Sequence, residues 1–158
     1  MNIKIICVGS LKEKYWKMAI EEYIKRLSRY CKPVIIEVDE SRLPSNPSVS
    51  DEMTVVKTEG KKIISKIGEG DFVIAMSLTG DEFSSSEFAA KLEEIAMTRS
   101  TIDFIIGGSL GLSDEILRRA DMEFCLGKVT LPHQLARVVV AEQIYRAYKI
   151  NNNEKYHK

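Results

Sequence analysis

The segment Gly107–Gly111 is one place where the backbone itself is able to bind a ligand. It follows the apolar run Ile102–Ile106 and precedes a helical pattern, and glycine has no Cβ to hold a ligand away from the backbone. The spacing is not a dinucleotide fingerprint, because Ile106 stands at the first glycine position, and no Gly-Lys-Ser/Thr of a phosphate-binding loop follows. The segment predicts either a ligand-binding loop or a plain tight turn between a strand and a helix.

A second candidate is the segment Gly127–His133, which leads into the last helix. It carries almost no side-chain charge, so its backbone N–H and C=O groups suit a neutral heterocycle such as adenine. Pro132 fits a first helical turn because its φ is already restricted. His133 stands at the start of the last helix, where a lone histidine is most often a surface or capping group.

A third group of candidates lies at the C-terminal end. Glu142 falls on an apolar stripe of the last helix. A carboxylate there is either paired, for instance with Arg146 one turn later, or desolvated, as functional carboxylates often are. The tail ends in Tyr156, His157 and Lys158, an aromatic ring, an imidazole and a cation that can stack on a base and contact phosphate. The alternative is an ordinary frayed terminus.

Strands alternate with helices in the elements that must position these residues. Apolar runs predict strands at 3–8, 34–38, 71–76, 102–106 and 122–126, with a turn at 79–81. Amphipathic periodicity and capping residues predict helices at 13–30, 51–67, 84–99, from 113 onward, and about 134–149. This alternation predicts an α/β fold, a mostly parallel sheet with helices on both faces, as a single domain over 1–158.

Ligands of such sheets bind at the carboxyl ends of the strands. The loops after Met76, Ile106 and Leu126 are therefore the candidate binding loops. The last helix is apolar nearly all round, and in so small a chain this pattern predicts both a buried helix and a subunit interface.

The net charge is zero, with 23 basic and 23 acidic residues, but its distribution is uneven. Residues 1–33 hold eight Lys or Arg and three Glu, a balance of +5. Residues 34–132 have a balance of −8 and residues 133–158 one of +3. Two basic ends around an acidic middle indicate nucleic-acid or membrane contact, unless these are only two solvated basic helices.

Other features narrow the class of protein. Three cysteines without C-x-x-C spacing predict neither a disulfide framework nor a zinc site, and we expect a reducing cytoplasm and no metal. The chain has no apolar run of the roughly 20 residues that a membrane span needs, so no membrane partner is expected. The N-terminal apolar run is interrupted by Lys4 and is too short for a signal peptide.

Taken in order, several motifs resemble one family. They are Val8–Glu13, Glu22–Leu27, Ile105–Leu112, Thr130–His133, Arg137-Val138, Ala141–Ala147 and Tyr156-His157. This combination resembles the bacterial ribosomal RNA large-subunit methyltransferase H family of the SPOUT superfamily, over nearly the whole chain.

The resemblance implies a SPOUT-type sheet with a C-terminal trefoil knot, a homodimer, and S-adenosylmethionine as cofactor. By motif, the implied cofactor-binding residues are Met76, Gly108, Gly127, Lys128, Val129, Thr130, Leu131 and Pro132. The implied reaction is methylation of N3 of a pseudouridine in 23S ribosomal RNA within the assembled ribosome.

Catalysis needs a group that removes or stabilises the N3 proton. Glu142 and His157 are the expected base and orienting groups, with His133 as a further candidate, and Arg137 and Tyr156 are expected to bind RNA. If the tail reaches across the dimer, one subunit supplies the cofactor pocket and the other the RNA contacts.

Two alternatives stay open: a SPOUT methyltransferase for another RNA, such as transfer RNA, and a noncatalytic ribosome-associated factor. A Rossmann-like nucleotide enzyme is disfavoured because the first glycine of its fingerprint is missing.

Overall fold

A computed structural model describes residues 1–157 of the chain. Five parallel strands form one sheet in the order β2-β1-β4-β3-β5. The strands are β1 Asn2–Val8, β2 Lys32–Val38, β3 Phe72–Glu82, β4 Thr101–Ile106 and β5 Met122–Cys125. The helices are α1 Lys14–Leu27, α2 Val49–Ile64, α3 Ser85–Ala96, α4 Asp114–Arg119 and α5 His133–Asn151. The predicted α/β class and strand–helix alternation are confirmed.

Side chains on alternate positions of each strand face opposite layers, as the pleat requires. Ile3, Ile5 and Cys7 of β1 face a core shared with α1, α3 and α5. Ile6 and Val8 face a second, smaller core under α2 and α4. Helices therefore cover both faces of the sheet, as predicted. The trefoil knot stays a prediction, as does the single domain over 1–158.

Local signals explain where α2, α3 and α4 begin. Ser48 and Ser84 each form a capping box. The serine oxygen accepts a hydrogen bond from the backbone N–H of the third helical residue, and the carboxylate of that residue accepts one from the serine backbone N–H. Ser113 caps α4 in the same way, without the return bond. The serine caps of α3 and α4 agree with the sequence prediction. Helix α2 begins two residues earlier than predicted, because the capping box of Ser48 and Asp51 starts the helix at Val49.

Two predicted boundaries are wrong for tertiary reasons. The turn predicted at 79–81 is part of β3, which passes through an irregularity between Met76 and Asp81 and then pairs again with β5. Gly80 makes this possible, since a Cβ there would lie 2.6 Å from the backbone carbon of Glu123. Strand β2 includes Pro33, which was expected to lie outside it; an edge strand tolerates the missing N–H.

Helix α5 is buried along one face only. That face consists of Arg137, Val140, Ala141, Ile144 and Ala147. Its other apolar residues are half-buried, including Leu135, Val138 and Val139. The expectation of a helix buried all round is therefore met only in part within one chain.

Candidate active site

A cavity of about 700 Å³ opens at the carboxyl edge of the sheet. The loops after Met76, Ile106 and Leu126 form its walls, together with the first turn of α5. Seven of the eight residues expected to bind the cofactor line it: Met76, Gly108, Gly127, Val129, Thr130, Leu131 and Pro132. Lys128 is exposed and is not part of the lining. Leu78, Leu110 and Leu112 line it too, although none of them is among the residues expected to bind the cofactor.

The glycine-rich loop turns sharply on itself. The Gly111 N–H donates to the Gly108 carbonyl over 3.1 Å, and a Cβ on Gly107 would lie 2.7 Å from the Gly111 oxygen. The two interpretations of this segment, a ligand-binding loop and a tight turn, are therefore compatible. It is a tight strand-to-helix turn, and the same turn brings bare backbone to the cavity wall.

A thiol supports the second loop. Gly127 has a φ of 133°, a conformation that favours glycine. The Sγ of Cys125 lies 3.4 Å from the Gly127 nitrogen and 3.2 Å from its carbonyl oxygen, accepting from one and donating to the other. Cys125 therefore supports the turn that leads into the cavity, a role that its apolar surroundings in the sequence did not reveal.

His133 lines the cavity from the first turn of α5. Partial burial, helped by the nearby charge of Arg137, lowers the pKa of His133 from its ordinary value. The imidazole is therefore held neutral near pH 7 and has a free nitrogen for a proton or a hydrogen bond.

Arg137 does not lie where an RNA contact requires it, and that expectation is corrected. Its side chain is fully buried. Its guanidinium donates to the carbonyls of Val8 (2.7 Å) and Gly9 (2.8 Å) and to the carboxylate of Glu37 (2.9 Å). The same Glu37 oxygen accepts from the Leu11 N–H. Arg137 therefore ties α5 to the end of β1 and the loop that follows it.

The C-terminal candidates form one polar cluster on α5. Glu142 accepts two hydrogen bonds from Arg146, at 2.6 and 3.1 Å, and one from the Tyr156 hydroxyl at 3.1 Å. Arg146 lies over the Tyr156 ring and donates to Nδ1 of His157 over 3.4 Å. The paired interpretation of Glu142 is thus confirmed. The tail is docked through Tyr156 and not frayed, and Lys158 lies outside the described residues.

Burial and the hydrogen bond to Glu142 raise the pKa of Tyr156 to about 12. Its hydroxyl therefore keeps its proton and remains a donor at neutral pH.

The cluster and the cavity do not meet within one chain. Glu142 follows His133 by nine residues on the same helix, a distance of about 13 Å at the helical rise. The structure brings Glu142, Tyr156 and His157 together and leaves His133 with the cofactor-binding loops.

Within residues 1–157, no group of three or more His, Cys, Asp or Glu side chains is arranged to hold a metal ion. No helix in the described part of the chain is long and apolar enough to cross a membrane.

The cavity fits S-adenosylmethionine, the cofactor that the resemblance implies. Its volume lies in the range of small-molecule sites. Its lining is mostly apolar and includes two stretches of bare backbone, which suit a neutral purine. His133 is the one titratable side chain in this lining, so no buried charge opposes the cofactor's sulfonium.

Comparisons with known proteins agree with this fold and identify the family. The family model described as a predicted SPOUT methyltransferase matches residues 1–157. Curated relatives named ribosomal RNA large subunit methyltransferase H include those of Clostridium perfringens strain 13 (53% identical) and Lactiplantibacillus plantarum (50%), each aligned over all of both chains. A solved probable methylase family protein from Haemophilus influenzae has the same fold, with a TM-score of 0.53, 15% identity, and coverage of 99% of this chain and 70% of that one. The chain therefore belongs to the SPOUT methyltransferase family.

Proposed function

We propose that the protein is an S-adenosylmethionine-dependent methyltransferase that modifies N3 of a pseudouridine in 23S ribosomal RNA within the assembled ribosome. One observation carries the proposal. The cavity built by the three strand-end loops occurs in a chain that is about half identical, end to end, to relatives named for ribosomal RNA methylation. As a ribosome-modifying enzyme, it would act in the cytoplasm.

The loop residues would hold the cofactor chiefly through their backbone. Gly108 and the segment 127–132 would supply N–H and C=O groups, and Met76 an apolar wall. When bound, S-adenosylmethionine supplies a methyl group already activated by the sulfonium. The protein must then align the nucleophile with that methyl, and orientation of this kind contributes roughly 7–11 kcal/mol.

The substrate nitrogen must lose its proton before it attacks. Glu142 and His157 are the candidate groups to accept or orient that proton, and Tyr156 and Arg146 hold both in place. Arg146 would also stabilise negative charge that develops on the ring carbonyls. The neutral imidazole of His133 is the alternative acceptor, because it lies in the cavity itself.

A homodimer would bring the two parts together. About 13 Å of helix separate Glu142 from His133 in one chain, so a complete site requires the cluster of a second chain beside the cavity of the first. The half-buried apolar face of α5, with Leu135, Val138 and Val139, is a suitable interface. In this arrangement each site takes its cofactor loops from one subunit and its polar cluster from the other.

The test is methyl transfer from tritiated S-adenosylmethionine to purified ribosomes and to naked ribosomal RNA. We expect transfer to ribosomes to exceed transfer to free RNA, because a chain of zero net charge has little non-specific attraction to nucleic acid. Mass spectrometry of RNA from a deletion strain then maps the missing methyl group. A loss from transfer RNA, with ribosomal RNA unchanged, would contradict the proposed substrate.

A further inference from the structure

The first turn of α1 and the loop before it form an exposed basic surface. We name it the α1 entry surface and define it by Lys12, Lys14, Tyr15, Lys17 and Met18. All five side chains are exposed, and Tyr15 and Met18, at 61% and 59%, are among the most exposed large apolar residues of the described chain. The proposed chemistry of the cofactor cavity uses none of them.

This surface lies at the same edge of the sheet as the cavity. Strand β1 ends at Val8, and the buried guanidinium of Arg137 bonds the carbonyls of Val8 and Gly9. Arg137 is one turn beyond His133, which lines the cavity. The loop that leads into α1 therefore rests against the first turns of α5, beside the cavity.

The net charge of the surface is positive, because its three lysines outnumber the one exposed carboxylate that lies among them, that of Glu13. None of Lys12, Lys14 and Lys17 has a salt-bridge partner within the described residues. Helices α2, α3 and α4 carry acidic residues in their first turns, whereas α1 has none, and the side chain of its N-cap residue, Glu13, makes no capping bond. The exposed carboxylates of Asp39 and Glu40 stand beyond Gly9, on the β2 side, so the positive surface has a defined boundary.

We propose that the α1 entry surface docks the RNA substrate, with the three lysines on phosphates and the Tyr15 ring stacked on an unpaired base. Lysines bind phosphate as point charges, and exposed aromatic rings stack on bases of single-stranded RNA. The Tyr15 ring rests against Trp16, with centroids 5.0 Å apart, and Trp16 packs on the core. Trp16 therefore supports the Tyr15 ring on its side toward the core.

RNA fits this surface better than a second copy of the chain does. A symmetric contact centred here would bring three lysines of one subunit against the same three of the other, and like charges at an interface are repulsive. The proposal rests on the proposed function and specifies which surface its RNA substrate occupies.

The test is a charge-neutralised variant with a matched control. Lys12→Gln, Lys14→Gln and Lys17→Gln are combined in one chain. Lys25→Gln, Arg29→Gln and Lys32→Gln are combined in another, removing the same charge from exposed residues toward the opposite end of α1. Initial rates of methyl transfer to ribosomes are measured at saturating cofactor and at several salt concentrations.

The first variant is expected to raise KM for ribosomes by about tenfold or more and to lower the salt dependence of kcat/KM by a slope of about 2, for three lost phosphate contacts. The control is expected to stay near the parent protein. The calorimetric Kd for S-adenosylmethionine and the sedimentation coefficient are expected to be unchanged in both. Equal effects of the two variants on KM would overturn the proposal. Loss of the dimer in the first variant alone would also overturn it, because that result would assign the surface to a contact with a second copy of the chain.

The stacking step has its own test. Tyr15→Ala is expected to raise KM for ribosomes roughly 5- to 100-fold, whereas Tyr15→Phe keeps the ring and is expected to retain activity. A Tyr15→Ala protein with an unchanged KM would overturn the role of the ring. If the parent protein methylates no RNA at all, it is the proposed function that fails, and the two failures are therefore distinguishable.

Discussion

At the residue scale, the decisive side chains are polar groups whose partners are far away in the chain. Arg137 is the strongest example, because three acceptors converge on it: the carbonyls of Val8 and Gly9, at the end of β1 and just after it, and the carboxylate of Glu37 in β2. Its position in the motif suggested a substrate contact. Its burial makes it a positioning residue, one that sets where His133 and the first turn of α5 stand against the cavity.

Arg137→Met is expected to lower the free energy of unfolding by about 3 kcal/mol, because two backbone carbonyls lose their buried donor. Urea denaturation measures the change. Glu37→Gln is the control, since an amide oxygen still accepts from Arg137 and from Leu11 and the cost should stay below about 1 kcal/mol. Equal losses in the two variants would contradict this division of roles.

His157→Ala is expected to reduce methyl transfer to ribosomes by about 100-fold, within the usual range of general acid–base contributions. The cofactor Kd should not change, because His157 lies with Glu142 and Arg146 and not in the cavity of its own chain. Rate assays and calorimetry measure the two quantities. Unchanged turnover would contradict a catalytic role for the tail.

Asp103 predicts a pH dependence of stability. Its fully buried carboxylate faces Lys4, 3.0 Å away, and Lys4 also bonds Asp71. Burial raises the pKa of Asp103 to about 7 from an ordinary 3.8, although Lys4 opposes the shift. Because the folded state binds this proton more tightly, the stability it contributes is complete below about pH 4 and is lost as pH rises through 7.

Asp103→Asn should therefore flatten the fall in unfolding free energy between pH 4 and 7 by at least about 1 kcal/mol. Asp71→Asn is the control of opposite sign. Burial alone would raise the pKa of Asp71, but bonds from Lys4 and the Gly68 N–H outweigh it and lower that pKa. Its contribution is present above pH 4 and lost in acid. Chemical denaturation from about pH 2 to about pH 8 distinguishes the two, because Asp71 acts below pH 4 and Asp103 between pH 4 and 7. Parallel curves for parent and Asp103→Asn would contradict the assignment.

At the element scale, the loop between the two paired parts of β3 shapes one wall of the cavity. Residues 77 and 78 line the cavity, while Asp81 and Glu82 return to pair with β5. Gly80 touches the β5 backbone so closely that a methyl group has no room. The irregular strand therefore depends on one missing side chain.

Gly80→Ala is expected to cost about 2 kcal/mol or more, because backbone rather than a flexible side chain stands in the way. Gly70→Ala is the matched control, since nothing lies within 4 Å of a Cβ at that position, and it should be neutral or slightly stabilising. Thermal unfolding of both variants provides the comparison. A Gly80→Ala protein as stable as the Gly70→Ala protein would show that β5 moves aside freely.

At the scale of the whole molecule, the proposed dimer predicts complementation between two inactive chains. Gly108→Val should distort the cofactor-binding loop, because a Cβ there already lies 3.1 Å from Glu59 and 3.2 Å from Val8. His157→Ala disables the tail. Random mixing of the two should restore about a quarter of the parent activity, since about half of the dimers are mixed and each has one complete site.

Refolding an equal mixture and assaying methyl transfer provides the measurement, with each variant alone as its baseline. Activity no higher than the average of the separate variants would contradict a site shared between subunits.

Residue types and their periodicity are enough to predict the alternation of strands and helices and the three strand-end loops. The family is indicated separately, by the resemblance of several motifs taken in order. The predicted caps at Ser84 and Ser113, the apolar strands and the loops around Gly108 and Pro132 all depend on residues a few positions apart. Such local rules act before the chain has folded, so they can be recognised in the sequence alone.

Only the tertiary structure decides what depends on distant partners. Arg137 meets Val8 across 129 residues of chain, Gly80 meets the backbone of Glu123 in another strand, and the length of α5 separates Glu142 from the cavity. The periodicity of the sequence does not predict these contacts, because each depends on the order of the strands in the sheet. The sheet order therefore buries Arg137, which was expected to contact RNA, between α5 and the end of β1. It leaves the α1 entry surface exposed beside the cavity.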